Sequence, residues 1–183
     1  IGSGKTTLVN YMESLGIPVF IADEEAKKAM QSPHVLEEVK TSFGNSIFEN
    51  GQLNRQQLAS IVFSNPDKLK ELNSIIHPEV KRQFAIWLDQ HKTVPFVVYE
   101  AAILFEIGSY QNCDYIITVT AALEDRIIRV MQRDNCSREQ VLQRINAQWT
   151  DEERAAKSNF VIDNTTAQSA KNEIDKILKI LKN

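Results

Sequence analysis

Ile1-Gly2-Ser3-Gly4-Lys5-Thr6-Thr7 carries the most pointed chemistry in the chain. It reads as the second half of a Walker A loop, G-x-x-x-x-G-K-[ST], without the leading glycine. Gly2 and Gly4 leave out Cβ atoms that would keep backbone N–H groups from closing around a phosphate. Lys5 is a point charge able to reach β- and γ-phosphates, and the Thr6 hydroxyl suits Mg²⁺. Ser3 and Thr7 complete the phosphate-binding set. Residues 7–12 predict a helix whose positive end faces the anion. The same residues also fit a glycine-rich turn that caps an ordinary helix. A phosphate-binding loop joins a buried strand to a helix, and no strand precedes Ile1. About ten further residues, a short apolar strand and the first glycine, are therefore expected upstream.

A second concentration of chemistry is cationic. Six of the eight arginines (Arg126, Arg129, Arg133, Arg138, Arg144, Arg154) lie within 126–154, a window without lysine. Guanidinium groups fork onto phosphate oxygens, which makes this segment a candidate polyphosphate clamp. The alternative is a solvated helical surface whose arginines pair with Glu124, Asp125, Glu139 and Glu152.

The elements that must position these groups alternate between strand and helix. Ile17-Pro18-Val19-Phe20-Ile21-Ala22 predicts a buried strand, with Asp23 at its carboxyl end, where open α/β sheets bind ligands. Residues 24–30 read as helical, so Asp23 also suits an N-cap. Residues 34–90 hold no convincing strand: 34–43, 53–63 and 66–90 show helical spacing, broken at Gly44-Asn45 and Glu49-Asn50-Gly51. His77-Pro78 is expected to start or kink a helix there.

Strand character returns over 93–104. Glu100 and Glu106 bound the apolar run Ala101-Ala102-Ile103-Leu104-Phe105 in the manner of a Walker B element, whose carboxylate holds Mg²⁺ directly or through water. Tyr115-Ile116-Ile117-Thr118-Val119 is a further strand, followed by a helix over 123–133. Ser137 with Gln140 forms a capping box for the next helix. Residues 159–164 predict a last strand, and 167–182 an amphipathic helix apolar at Ala170, Ile174, Ile177, Leu178 and Leu181. The alternation implies a parallel, three-layer α/β sheet.

Composition narrows the setting. The 183 residues suffice for one sizeable core with a small insertion. A net charge of −3 gives no general attraction to nucleic acid. No apolar run approaches the ~20 residues of a membrane span, and no signal peptide is visible. Cys113 and Cys136 are read as reduced thiols of a cytoplasmic protein, and the three histidines form no metal constellation.

Taken in order, the motifs resemble those of the dephospho-coenzyme A kinases: G-G-I-G-S-G-K-[ST]-T, P-V-x-D-A-D, L-N-x-x-x-H-P, D-x-P-L-L-F-E, Q-R-D-x-x-[ST]-x-E, R-x-x-x-Q and V-I-x-N. The matching stretches are 1–7, 18–23, 72–78, 100–106, 132–139, 144–148 and 161–164. The chain departs from the pattern at Ile21, which replaces the first aspartate of D-A-D, at Glu100 for Asp, and at Ala102 for Pro.

The resemblance implies a P-loop NTPase fold and transfer of the ATP γ-phosphoryl to the ribose 3′-hydroxyl of dephospho-coenzyme A, with Mg²⁺. It implies a core of about 1–30, 93–125 and 158–183, a helical acceptor-binding insertion of about 31–92, and a lid of about 126–157. Asp23 would orient and deprotonate the acceptor hydroxyl, and Lys5 with lid residues Arg133 and Arg144 would stabilise the transferring charge. Asp23, His77 and Glu106 are expected at the acceptor, Asn164 at the adenine, and Thr6 and Glu100 at the metal. His77 also suits a helix cap, and Asn164 a plain strand-end turn. A monomer acting on a small molecule is expected. Another small-molecule kinase, such as a nucleoside monophosphate kinase, and a nucleotide-dependent switch are the competing readings.

Overall fold

The computed structural model describes residues 1–182, Phe63 by its backbone only. In chain order the first elements are α1 (Lys5–Ser14), β1 (Val19–Ile21), α2 (Ala22–Ala29), α3 (Pro33–Phe43), β2 (Phe48–Glu49), β3 (Gln52–Leu53), α4 (Arg55–Phe63) and α5 (Pro66–Asp89). There follow β4 (Val98–Glu100), β5 (Ile117–Thr120), α6 (Leu123–Asp134), α7 (Arg138–Asn146), α8 (Asp151–Ala156), β6 (Phe160–Asp163) and α9 (Ala167–Leu181). Two compact units result, Ile1–Val19 with Val94–Asn183, and Phe20–Thr93. Among the described residues no helix is long and apolar enough to cross a membrane.

In the first unit β5 and β6 pair in parallel, with Ile117 opposite Phe160 and Thr120 opposite Asp163. Parallel neighbours need a crossover, which α6, α7 and α8 supply. Beside β4, the Val98 N–H donates to the Pro18 carbonyl at 2.9 Å. The core joins α1 and α9 to β6: Leu8 and Met12 meet Ile162, Ala170, Ile174, Ile177 and Leu178. The helical spacing of α9 places four of its five predicted apolar positions in this core, and Thr166 caps the helix by accepting from the Ser169 N–H. Ile127, Val130 and Val141 form a second cluster that seats α7 on α6.

The second unit is largely helical, as 34–90 suggested, but it also holds an antiparallel hairpin, Phe48 opposite Leu53 and Glu49 opposite Gln52. Asn50 and Gly51, read only as a break, both take positive φ (51° and 79°). Two such residues make the turn that matches the twist of a hairpin, and strands of two residues are too short to show a period. Pro78 starts no helix, which corrects that part of its reading: it lies inside α5, which continues through it. Its missing N–H forfeits one bond to the Ser74 carbonyl. Leu72, Ile76 and Val80, buried on both sides of it, hold the helix together.

Two further expectations shift. The strand predicted over 93–104 is three residues long. Beyond Glu100 the backbone turns on itself, with Ile107 N–H to Ile103 and Gly108 N–H to Phe105. Local bonds thus take the carbonyls of Ile103 and, from the Tyr110 N–H, Leu104, which a longer strand would offer to a neighbour. Helix α8 was unforeseen, although Thr150 and Glu153 form the same kind of capping box as Ser137 and Gln140.

Ile174 is fully buried between α1 and β6. Ile174→Ala is expected to cost about 2–5 kcal/mol of stability, measurable as a lower urea midpoint with an unchanged slope.

Candidate active site

The loop before α1 is held by its carbonyl groups. Arg126 Nε donates to the Ile1 carbonyl at 2.9 Å, and Asn164 Nδ2 to the Ser3 carbonyl at 2.8 Å. Arg129 reaches the Gly2 carbonyl at 3.5 Å and the Asn164 carbonyl at 3.4 Å. Capping these oxygens removes the partial negative charges that would repel an anion and leaves the loop N–H groups as its dominant dipoles. Gly4 then caps α1 in the left-handed conformation (φ 87°), and no acidic residue sits in the first turn to offset the helix's positive end.

The two glycines have a reason beyond phosphate access. A Cβ on Gly2 would lie 2.6 Å from the Arg126 backbone carbonyl, and one on Gly4 would lie 2.1 Å from Asn164 Nδ2. Close seating of the loop on α6 and on the end of β6 therefore requires both.

Lys5 Nζ lies 3.2 Å from Glu100 Oε1 at the end of β4, while Thr6 and Thr7 are exposed. Glu100 thus stands beside the loop, as the motif order suggested, with Lys5 as its partner. Asn164 is buried, and its side chain is committed to Ser3. Among the described residues no three His, Cys, Asp or Glu are grouped to hold a metal ion. A nucleotide-borne Mg²⁺ needs only one or two protein oxygens, so the hydroxyl of Thr6 and the carboxylate of Glu100 are of the right hard-oxygen type.

The arginines divide by burial. Arg126 is 5% exposed and bonds Asp151 at 2.8 Å. Arg133 and Arg144 are surface groups that converge on Asp134, at 2.6 and 3.0 Å from the first and 2.6 Å from the second. Bonds from Arg133 and then Arg144 hold the Asp134 carboxyl well below the usual carboxylate range. Arg138 grips Glu124 with two bonds. Of the four acids expected as partners, Glu124 has this bond, whereas Asp134 and Asp151 take most of the others.

Glu106 accepts from the Trp149 N–H at 2.8 Å, and its buried Oε2 has no hydrogen-bond partner. Phe105 stacks on Trp149 with centroids 5.5 Å apart, so this corner anchors the approach to α8.

In the second unit, Asp23 lies in the first turn of α2, exposed, and the N-cap position belongs to Ile21. The cap reading of Asp23 is therefore corrected: the helix starts at Ala22, two residues earlier than the expected start at Glu24. His77 sits within α5, which rules out its reading as a helix cap, and burial pushes its imidazole pKa below the ordinary value. Sequence reasoning missed the bracing role of Arg126 and Arg129. Their i, i+3 spacing, which puts both on one face of α6, was the available signal.

A profile of dephospho-CoA kinases matches residues 1–169. The chain belongs to the dephospho-CoA kinase family. A Bacteroides fragilis dephospho-CoA kinase is 39% identical over 165 residues, covering 90% of this chain and 80% of its own length. A Fusobacterium nucleatum dephospho-CoA kinase is 38% identical over 167 residues, 91% of this chain and 86% of its own. Among solved structures, a Thermus thermophilus protein superposes with a TM-score of 0.90 at 36% identity, covering 98% of this chain and 92% of that one. The dephospho-CoA kinase of Campylobacter jejuni gives 0.68 at 28% identity, covering 100% and 94%. The P-loop NTPase fold of the dephospho-CoA kinases, expected from the motif order, is borne out.

Gly4→Ala places a side chain on Asn164 and on a left-handed backbone at once. The expected outcome is a folded protein whose ADP affinity, read by calorimetry, falls at least about tenfold, or roughly 1.4 kcal/mol.

Proposed function

We propose that the chain is an ATP-dependent dephospho-CoA kinase, producing coenzyme A and ADP. The observation that carries this reading is the braced loop with Lys5 beside Glu100, in a chain whose family match spans residues 1–169. The loop amides and the N-terminus of α1 bind the phosphates. The Lys5 ammonium exchanges Glu100 for β- and γ-phosphoryl oxygens. The Thr6 hydroxyl and the Glu100 carboxylate would hold Mg²⁺, which would supply neutralisation of charge on the phosphates.

The acceptor's 3′-oxygen forms the new bond to the γ-phosphorus while the bond to the bridging β–γ oxygen breaks, and ADP leaves. The hydroxyl proton passes to the Asp23 carboxylate, which returns it to solvent. Arg133 and Arg144 give up Asp134 for the triphosphate, closing the outer part of the 126–157 segment as a lid that excludes water, while Arg126 and Asp151 stay under the loop. That exchange is energetically open, because exposed ion pairs contribute only ~0–1 kcal/mol. His77, neutral at pH 7, and Glu106 serve the acceptor side. A monomer in the cytoplasm is the setting we infer.

The decisive assay is ATP consumption by the purified protein with and without dephospho-coenzyme A; acceptor-independent or absent turnover would overturn the reading. Lys5→Ala is expected to abolish transfer while circular dichroism stays unchanged, and near-normal turnover in that folded variant would remove the loop from the mechanism.

Asp23→Asn is expected to lower kcat by roughly 10²–10⁴ with little change in KM for ATP. Wild-type kcat in this variant would take the proton-accepting role from Asp23 and make Glu100 the carboxylate to test.

A further inference from the structure

Arg126 is the one arginine among the described residues that is buried, although it opens the arginine-rich segment. Its contacts with the loop are double. Its guanidinium donates to the Ile1 carbonyl at 2.9 Å, and its own carbonyl oxygen lies 2.6 Å from where a Cβ on Gly2 would fall. The other end of the guanidinium donates to Asp151 Oδ2 at 2.8 Å, and the second oxygen of Asp151 accepts from Arg154 at 2.9 Å. Asp151 is the first residue of α8 and is fixed there by the Thr150–Glu153 capping box.

A guanidinium is a rigid plane, so a carboxylate on one edge determines where the donors on the other edge point. A buried ion pair is a poor source of net stability, since desolvating both charges cancels most of their attraction. Core filling alone would be better served by an apolar side chain. We propose that Arg126 is a positioning residue for the phosphate-binding loop and that Asp151 is the group that aims it. Both act through Ile1 and Gly2 without touching nucleotide. Their effect on turnover rests on the kinase reading, whereas their effect on nucleotide affinity does not.

The experiment compares wild type, Arg126→Met, Arg126→Lys and Asp151→Asn by calorimetric ADP binding, steady-state kinetics and thermal melting. In Arg126→Met, Asp151 keeps Arg154 as a partner, so a folded protein is expected. Its ADP affinity should fall roughly tenfold to a hundredfold, the penalty of a loop displaced by about an ångström. KM for ATP should rise in step and kcat should change less. Arg126→Lys should resemble Arg126→Met, because a single ammonium cannot aim two bonds as the planar fork does. Asp151→Asn should move affinity the same way by a smaller factor. A lower melting temperature with wild-type ADP affinity, in whichever of these variants folds, would make Arg126 a packing residue and overturn the proposal. Should Arg126→Met not fold, Asp151→Asn decides by the same criterion. A wild-type protein that binds ADP but does not phosphorylate dephospho-coenzyme A would overturn the kinase reading alone, and one that does not bind ADP would overturn both.

Discussion

The first unit depends on how an anion-binding loop disposes of its own carbonyl oxygens. Each peptide that offers an N–H also carries an acceptor, and an acceptor turned towards a phosphate cancels the donor. Here Arg126, Arg129 and Asn164 take the carbonyls of Ile1, Gly2 and Ser3 from behind. Leaving such a group buried and unpaired would cost about 1–3 kcal/mol, so the three side chains matter to the loop's shape as well as to its charge. Glycine at positions 2 and 4 is the other half of the same constraint. Only a residue without Cβ lets the loop come close enough for these bonds to form.

The same arithmetic sorts the arginine-rich segment. Arg133 and Arg144 are 59% and 45% exposed, with Asp134 between them, and water already screens those bonds. Such pairs are worth so little that a polyphosphate can replace the carboxylate. Arg126 is different because its charge has left water; taking away its partner would strand a buried cation at a cost of several kcal/mol. One composition therefore holds two kinds of arginine, exchangeable ones at the surface and fixed ones under the loop.

The second unit shows a comparable contest won by burial. An interior proline costs a helix about 3 kcal/mol, yet α5 continues through Pro78. Leu72, Ile76 and Val80 are each 6–8% exposed, and burying a side chain of that size contributes about 1.5–3 kcal/mol. Buried Glu79, next to the proline, accepts bonds from Arg82 and Gln83 on the following turn. Those bonds hold its carboxyl well below the usual range. The helix survives because packing on both sides outweighs one missing bond.

Much of this was legible in the residues alone. The order of the motifs pointed to the family, and the apolar spacing of 167–182 located α9 and its buried face, since a helical period is a local property. The Ser137–Gln140 capping box was legible for the same reason: both partners lie within one turn. The Thr150–Glu153 box and the Asn50-Gly51 turn are just as local but sit in elements too short to show a period, and the rest of what escaped depends on distant partners. Ala101-Ala102-Ile103-Leu104-Phe105 has strand composition, but strand or turn is decided by whether a neighbouring backbone accepts the pairing. Asn164 reads as an adenine contact or a plain strand-end turn, and only the fold brings Ser3 to it across 161 positions. Arg126 and Arg133 are alike in sequence, and only tertiary structure buries one and leaves the other in water. Residue type and period determined the elements and their chemical vocabulary, whereas long-range packing decided which polar groups brace the site and which stay available to a ligand.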